Sequence, residues 1–556
     1  MSVRLPIGCD DFAELRDSNF YYADKTEFIR ELLGKSFKAL LLTRPRRFGK
    51  TLTMSMLEDF FDISRDSRAR FAGLKIAGET ALCETWMNQW PVLFLTLKNV
   101  EGNDFGTAYE RLSILLAELC RKHAYLAKSD QVDSSDLSDF AELREGKASL
   151  AKTTNALFLL TRMLTAHYGK PVILLIDEYD VPLAKASEAG YYKEMLDVVR
   201  LLLGTALKAN EYLKFAVMTG CLRIAKESIF TGINNLVTDT ITGDRFDEYI
   251  GFTQGDVHRL LVDTELMSHS EEIRRWYDGY RFGTVDVYCP WDVLNHVSAL
   301  QDNPDRKPQN YWGNTSHNGI IYSFISRGDL QVNDKFEVLM AGGHIVETIT
   351  EDLTYDTLHS SEQNLWSLLF LTGYLTSEDP HEAEENPGEG QIVLRIPNEE
   401  VKSIFKTAIV DWFQESIKSE DRSQLFCAMW EGRPKEAQEY ISDLLFETIS
   451  YHDYKESYYH AFLAGLFAGA GYIVESNYEH GTGRPDVVVK DKRNRRALVL
   501  EAKHARTEAE LDAKCQEAVS QIRAQKYMEG VEKGYRLKLG YGLAFYEKEC
   551  RVEKSE

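Results

Sequence analysis

Long apolar runs are missing from this 556-residue chain. None approaches the roughly 20 residues that cross a bilayer, and the amino terminus MSVRLPIGCDDFAELR lacks the apolar centre of a secretory signal. Both absences predict a cytoplasmic protein with no membrane attachment. Paired cysteines are missing too. The eight (Cys9, Cys83, Cys120, Cys221, Cys289, Cys427, Cys515, Cys550) are scattered, with no CxxC pair and no neighbouring His. That spacing argues against a disulfide framework and against structural zinc, and predicts reduced thiols. Positive charge is in deficit: 65 Lys and Arg face 87 Asp and Glu, for a net charge of −22. An acidic surface repels phosphate, which argues against non-specific wrapping of long nucleic acid but leaves room for a local basic groove.

What is present is globular. Hydrophobic residues make up 44% and aromatics 11%, and the length exceeds one core, predicting two to four domains. The organising stretch is Phe37–Thr51, FKALLLTRPRRFGKT. Ala39–Leu42 reads as a buried strand, a polar loop follows, and Gly49-Lys50-Thr51 opens a helix. That order suits a phosphate-binding loop: backbone N–H groups at a helix start face the phosphates, Lys50 reaches the β and γ oxygens, and the Thr51 hydroxyl holds Mg²⁺. Arg44 stands where GxxxxGK[ST] has its first glycine, so a basic turn between a core strand and a core helix is the competing reading.

A second motif, PVILLIDEYD at Pro171–Asp180, supplies the missing acids. Five successive apolar residues suit a strand buried on both faces of a parallel sheet. They end at Asp177, placed for the Mg²⁺ shell, and Glu178, placed to polarise water. Pro91–Leu97 and Leu213–Met218 read as further strands, and Thr107–Lys122 and Asn155–His167 as helices, which together predict a doubly wound α/β sheet. Thr219, at the tip of the strand from Leu213, is placed to sense a γ-phosphate. Arg223 follows as a candidate arginine finger in cis or toward a neighbouring subunit, with a surface salt bridge as its plain alternative. Asp24 with Glu27 predicts a capped helix start before FIRELL, and the polar segment Ser129–Lys152 predicts a surface excursion.

The sequences YADKTEFI, LLTRPRRFGKTL, LLIDEYDVPL, MTGCLRIAKESIFTGINNL, WYDGYRFG, VYCPWDVLN, YWGNTS and LWSLLFLTGYL, in this order, resemble the AAA-ATPase-like family that is found fused to a PD-(D/E)XK nuclease domain. The resemblance implies an AAA-type core, makes Arg44 a feature of the family's loop, and raises a homo-oligomer as a partner state. Between Gly251 and Asn314 the pattern is helical with ring-rich loops that suit packing better than base binding. Asn364–Thr376, the turn around Pro387, Gly388 and Gly390, Ile392–Ile396 and a helix from Glu399 resemble a winged helix. The lack of a dense basic face favours packing for it over DNA binding. Ser416–Ser450 reads as a helical, acidic connector.

The carboxy-terminal segment begins with an apolar helix, Tyr458–Ala470, followed by two strands joined by the turn DKRNRR. Asp486 opens the first strand and Glu501-Ala502-Lys503 ends the second. Alternation puts Glu501 and Lys503 on one face, where a hairpin brings Asp486 beside them. Two carboxylates and a Lys suit metal-assisted phosphodiester hydrolysis: Asp486 and Glu501 hold Mg²⁺, with Mn²⁺ as a substitute, and Lys503 orients the attacking water. A charged hairpin edge is the plain alternative. YYHAFLAGL, GRPDVVV and LVLEAK carry the nuclease part of the resemblance, which also implies a role for Gln521. Glu456 and Glu479 are weaker candidates for a metal ligand or its support, and His460 suits a core position. Leu511, Cys515, Val519 and Ile522 share a helix face able to cover the sheet. Lys490, Lys492, Arg493, Arg495 and Arg496 could meet a phosphate backbone beside the metal site, or form an ordinary solvated turn. Tyr541–Tyr546 predicts one more strand.

These readings combine into an α/β protein with three parts. Residues 1–250 form a P-loop AAA-like ATPase domain, 251–450 a helical and winged-helix-like middle, and 451–556 a restriction-endonuclease-like α/β domain. The expected activity is ATP hydrolysis coupled to metal-dependent cleavage of nucleic acid, DNA over RNA. The alternative is a nucleotide-dependent switch that binds nucleic acid without cutting it.

Overall fold

The strand β1 (Ala39–Thr43) is buried along its whole length and sits inside a five-stranded sheet. Its companions are β2 (Val92–Thr96), β3 (Val172–Asp177), β4 (Leu213–Gly220) and β5 (Leu236–Asp239), in the order β2-β3-β4-β1-β5. Every neighbouring pair is parallel. Parallel strands need helices on both faces, which is why β1 and β3 are unbroken apolar runs. The structure is a computed structural model, and it describes residues 3–555 apart from 224–235, 314–331, 356–360, 380–386, 389, 408–422, 449–458, 460–461, 464–465, 468–471, 477–484, 532–533 and 548. Two compact units result, residues 1–316 with 346–401, and 317–345 with 402–556.

Topology places the chemistry of the first unit. β4 lies between β1 and β3, so the loop after β1 and the acids after β3 flank the tip of β4. All three ends are carboxyl ends, where ligands of open α/β sheets bind. The helix Lys50–Phe61 leaves the loop and is buried over nearly its full length. One sheet face packs Ala39, Leu41, Leu93, Leu95, Leu174 and Ile176 against the helices Phe105–Lys122, Ala156–Tyr168 and Tyr192–Leu207.

Several local expectations change. The helix Glu27–Gly34 begins at Thr26 without a side-chain cap. The Asp24 carboxylate instead accepts from Thr26 and from the Lys75 N–H at 2.7 Å, and Glu27 pairs with Lys75. A capping box requires both side chains to turn back onto the helix start, and here the next segment claims them. The supposed excursion at 129–152 carries a helix, Ser134–Arg144, which buries Phe140 and Leu143. The ring-rich region after Gly251 forms strands as well as helices. β6 (Phe252–Thr253), β7 (Tyr280–Phe282) and β8 (Val285–Tyr288) make an antiparallel sheet, β6-β8-β7. Gly283-Thr284 supplies the turn, and the alternation in YRF and VDVY was hidden by their aromatic content.

The segment read as winged-helix-like carries the helix Glu362–Leu371, β10 (Thr376–Ser377) and β11 (Gln391–Arg395), and β11 also pairs with the earlier β9 (Ile345–Thr348), in the order β10-β11-β9. Leu365, Trp366, Leu368, Leu369 and Phe370 of its helix are all buried.

The second unit is a mixed sheet, β12 (Ile473–Ser476), β13 (Val487–Asp491), β14 (Arg496–His504), β15 (Leu537–Tyr546) and β16 (Glu549–Ser555), paired in chain order. Only β14 and β15 run parallel, and the helix Leu511–Ala524 makes the crossover that parallel neighbours require. It buries Leu511, Cys515, Val519 and Ile522, the face read from the sequence. Val487 and Val489 point to the other side, toward the helices Ser423–Glu431 and Pro434–Thr448. The connector therefore belongs to the carboxy-terminal core, because Leu425, Met429, Ile441 and Leu445 need that sheet face for burial. Of the apolar segment 458–470, the described residues Tyr459, Phe462, Leu463, Leu466 and Phe467 are helical and buried.

Candidate active sites

The phosphate loop runs from Thr43 to Gly49. Gly49 precedes the helix with φ +98°, a left-handed backbone that favours glycine. Lys50 follows and is buried. Its ammonium donates to the carbonyls of Arg44 and Pro45, both at 3.1 Å, and lies 3.5 Å from Glu178 Oε1 and from Cys221 Sγ. Burial works against its charge, but Cys221, Glu178, Asp180 and Asp177 outweigh it and hold the ammonium above its ordinary pKa.

Asp177 is fully buried at the tip of β3 and gathers hydroxyls from three elements. Thr219 Oγ1 donates to Oδ1 at 2.5 Å, while Thr51 Oγ1 at 2.9 Å and Thr96 Oγ1 at 3.4 Å donate to Oδ2. Burial and the neighbouring Glu178 raise its pKa; the Thr219 and Thr51 hydroxyls and Lys50 oppose the rise. Glu178 has φ +53°, which a non-glycine residue adopts only under constraint. That kink directs the chain away from the strand, and Glu178 lines a cavity of 400 Å³ together with Arg46, Arg47, Gly49, Lys50 and Thr51.

Two residues beyond those singled out in the sequence fasten this arrangement. Tyr179 donates its hydroxyl to the Leu222 carbonyl at 2.7 Å. Asp180 Oδ2 accepts from the N–H groups of Cys221 and Leu222 at 3.0 and 2.9 Å. Burial, then Glu178, pushes Asp180 up to about 6. Both fix the tip of β4, where a Cβ at Gly220 would lie 2.6 Å from Asp180 Oδ1 and from the Tyr179 ring. The signal was the second half of the IDEYD motif, which continues past the strand.

Arg44 and Arg223 are placed differently from Lys50. Arg44 is fully buried. Its guanidinium meets Asp239 Oδ2 at 2.7 Å and the Asp239 carbonyl at 3.1 Å, over the ring of Phe282, and it does not line the cavity. Arg223 pairs with Asp352 at 2.9 Å and lies 3.9 Å from Glu351.

The aromatic residues of the middle region surround the loop. Phe48 packs between Tyr280 and Phe282, with both ring centroids 5.0 Å away. Trp312 donates to the Arg46 carbonyl at 3.3 Å and packs on Tyr374, and Arg47 stacks over Trp291 at 4.3 Å. The winged-helix-like segment touches the same loop, since a Cβ at Gly373 would meet Pro45 at 3.0 Å.

The second site lies on the hairpin of β13 and β14. Val487 pairs with Leu500, which puts Asp486 opposite Glu501. Asp486 Oδ2 accepts the Ala502 N–H at 2.8 Å, and the Asp486 N–H donates to Glu501 Oε2 at 3.3 Å. Lys503 Nζ reaches Glu501 Oε1 at 3.2 Å. Glu501 is 1% exposed, and burial, then Asp486, pushes its carboxyl up to about 7 against the pull of Lys503. Carboxylate oxygens suit Mg²⁺ or Mn²⁺, so the donor chemistry fits such an ion. Among the described residues no group of three or more His, Cys, Asp and Glu gathers. Glu456, Glu479 and His460 lie outside the described residues. Gln521 donates to the Tyr527 hydroxyl at 3.3 Å.

The basic turn is at the other end of the hairpin. Asp486 and Arg495 are separated by the length of β13, roughly 16 Å at 3.3 Å per residue, so the turn is not beside the carboxylates. Lys490 pairs with Glu475 at 2.6 Å and Arg496 with Asp491 at 2.8 Å, leaving Lys492, Arg493 and Arg495 exposed. Among the described residues no helix is long and apolar enough to cross a membrane.

Residues 6–230 match the family described as Predicted AAA-ATPase, and residues 454–555 match the PD-(D/E)XK nuclease superfamily. A protein of Azotobacter chroococcum mcd 1, described as "Uncharacterized protein in vnfD 5'region", is 26% identical over 409 residues, which cover 73% of this chain and 70% of that protein. The chain thus carries an AAA-ATPase-like domain at its amino end and a PD-(D/E)XK nuclease-like domain at its carboxy end, in the order its motifs imply.

Proposed function

We propose that this protein is a nuclease whose cutting of nucleic acid, DNA in preference to RNA, is governed by ATP bound in its amino-terminal domain. The convergence of Asp486, Glu501 and Lys503 carries the nuclease half of the reading, because paired strands bring an acid from each strand and a Lys to one point. Asp486 and Glu501 hold Mg²⁺ or Mn²⁺, and Lys503 orients the attacking water. The ion, when bound, stabilises charge on the phosphorus and makes water more acidic.

In the amino-terminal domain Lys50 meets the β and γ phosphates, and Thr51 with Asp177 holds the Mg²⁺ of the nucleotide. Glu178 positions water for attack. Thr219 ties the β4 tip to Asp177 and so registers what happens at the γ-phosphate. The ring-rich middle region touches the same loop, which gives nucleotide occupancy a physical route to the rest of its unit. The protein acts in the cytoplasm, alone or as a homo-oligomer.

The test is cleavage of labelled linear DNA, circular DNA and RNA with Mg²⁺ or Mn²⁺, with and without ATP. Intact protein is compared with Lys503→Ala and Lys50→Ala. Cutting that needs metal and is lost in Lys503→Ala supports the nuclease, and altered cutting in Lys50→Ala supports control by ATP. ATP hydrolysis without cutting of any substrate would replace this reading with a nucleotide-dependent switch.

A further inference from the structure

We infer that Arg46 is the arginine that stabilises the γ-phosphate during ATP hydrolysis, supplied in cis from within the phosphate loop itself. The inference rests on the nucleotide reading above and deepens it.

Three arginines occupy the loop, and the structure gives each a different environment. Arg44 is neutralised by Asp239 at 2.7 Å inside the core. Arg47 stacks on Trp291. Arg46 is exposed to the cavity that Lys50, Thr51 and Glu178 also line, and it forms no ion pair within 4.0 Å among the described residues. Its guanidinium hydrogen-bonds Cys221, and the charges of Glu178 and Asp180, which also act on the Lys50 ammonium, favour its charged form. Two cations therefore line one cavity together with Glu178. Trp312 holds the Arg46 carbonyl at 3.3 Å, fixing the backbone from which the side chain reaches.

A guanidinium that lines this cavity has a chemical use. As water forms its bond to the γ-phosphorus, the bond to the β–γ bridging oxygen breaks and its electron pair stays on ADP. The water proton passes to Glu178 and then to solvent, leaving ADP and inorganic phosphate. Charge spreads over the γ oxygens and the bridging oxygen in that transition state, and a planar guanidinium fork neutralises it better than an ammonium. Arg223, engaged by Asp352 and Glu351, is not needed for this step.

The experiment compares ATP affinity, by titration with a fluorescent ATP analogue, and steady-state ATP turnover in the full chain, Arg46→Ala and Arg46→Lys. Arg200→Ala, on the exposed face of a helix, serves as control. Turnover per chain is measured over a hundredfold range of protein concentration. We expect kcat to fall on the order of a thousandfold in Arg46→Ala, with affinity changed less than about fivefold, incomplete recovery in Arg46→Lys, and turnover per chain independent of concentration. Retained affinity shows that the variant is folded. Wild-type kcat in Arg46→Ala, or a loss confined to affinity, would overturn the assignment. So would turnover per chain that rises with concentration, since that places the arginine on a neighbouring copy. Absence of ATP binding in the wild type would instead remove the nucleotide reading beneath it.

Discussion

Thr219 donates its hydroxyl hydrogen to Asp177 Oδ1 across 2.5 Å, joining the tips of two adjacent strands inside the sheet. Both residues are fully buried, so the carboxylate depends on this donor and on Thr51. Thr219→Val keeps the shape and removes the donor. It should cost about 1–3 kcal/mol, the range for an unsatisfied buried acceptor, and lower ATP turnover, whereas Thr219→Ser should retain both. Chemical unfolding and steady-state hydrolysis read the two effects.

Arg44→Gly would restore the common glycine of the phosphate-loop pattern, and it should still damage the protein. The change leaves Asp239, 2% exposed, without its 2.7 Å partner. Breaking a buried pair from one side costs about 3–5 kcal/mol. Adding Asp239→Asn to Arg44→Gly should recover part of that loss, and thermal unfolding of the single and double variants measures it.

Glu501→Gln should abolish cleavage and yet raise stability when metal is chelated. In the fold the carboxyl is pushed up to about 7 from an ordinary 4.5, so its ionisation opposes folding. The penalty is absent below pH 4.5, grows as pH rises, and is complete above 7, at up to about 3 kcal/mol. With EDTA the variant should therefore melt higher than wild type at pH 8 and equally at pH 4.5. Mg²⁺ should raise the wild-type Tm at pH 8 and leave the variant unchanged.

His123 should make the amino-terminal unit acid-sensitive. Burial, then Lys122, lowers its pKa from 6.5 to about 4, so the fold holds the neutral ring. Stability is unaffected above pH 6.5. It falls as pH drops below that value, because only the unfolded chain takes up the proton, by about 2 kcal/mol at pH 5. The difference between wild type and His123→Gln in urea unfolding at pH 7.5 and pH 5 isolates this contribution from other acids.

The strands that carry the chemistry were legible because each is a local pattern. ALLLT and VILLID are apolar runs that end in polar residues, and VVV at 487–489 pairs with LVL at 498–500 as expected, with Val487 opposite Leu500. What stayed hidden depends on partners far away in sequence. The counter-ion of Arg44 is 195 residues distant, and nothing near RPRRFGKT announces Asp239. Asp24 and Glu27 match a capping box, but Lys75 pairs with Glu27 and its N–H shares the Asp24 carboxylate with Thr26. The roles of Tyr179 and Asp180 needed the tip of β4 to be placed beside them, which no spacing rule supplies. The connector at 416–450 looked acidic because its charged face dominates composition, while its apolar face has a sheet to cover.

The amino-terminal family match stops at residue 230, but Asp239 and β5 come after it, as do the rings of Tyr280, Phe282, Trp291 and Trp312 that hold the loop. The portion that can be inherited or transplanted as a working module is therefore longer than the recognisable signature. A gene rearrangement cut at residue 230 would expose β1 as an open sheet edge and bury a guanidinium without its carboxylate. Recombination in such lineages should leave the signature joined to the segments that follow it, and a chimaera built from the signature alone should aggregate.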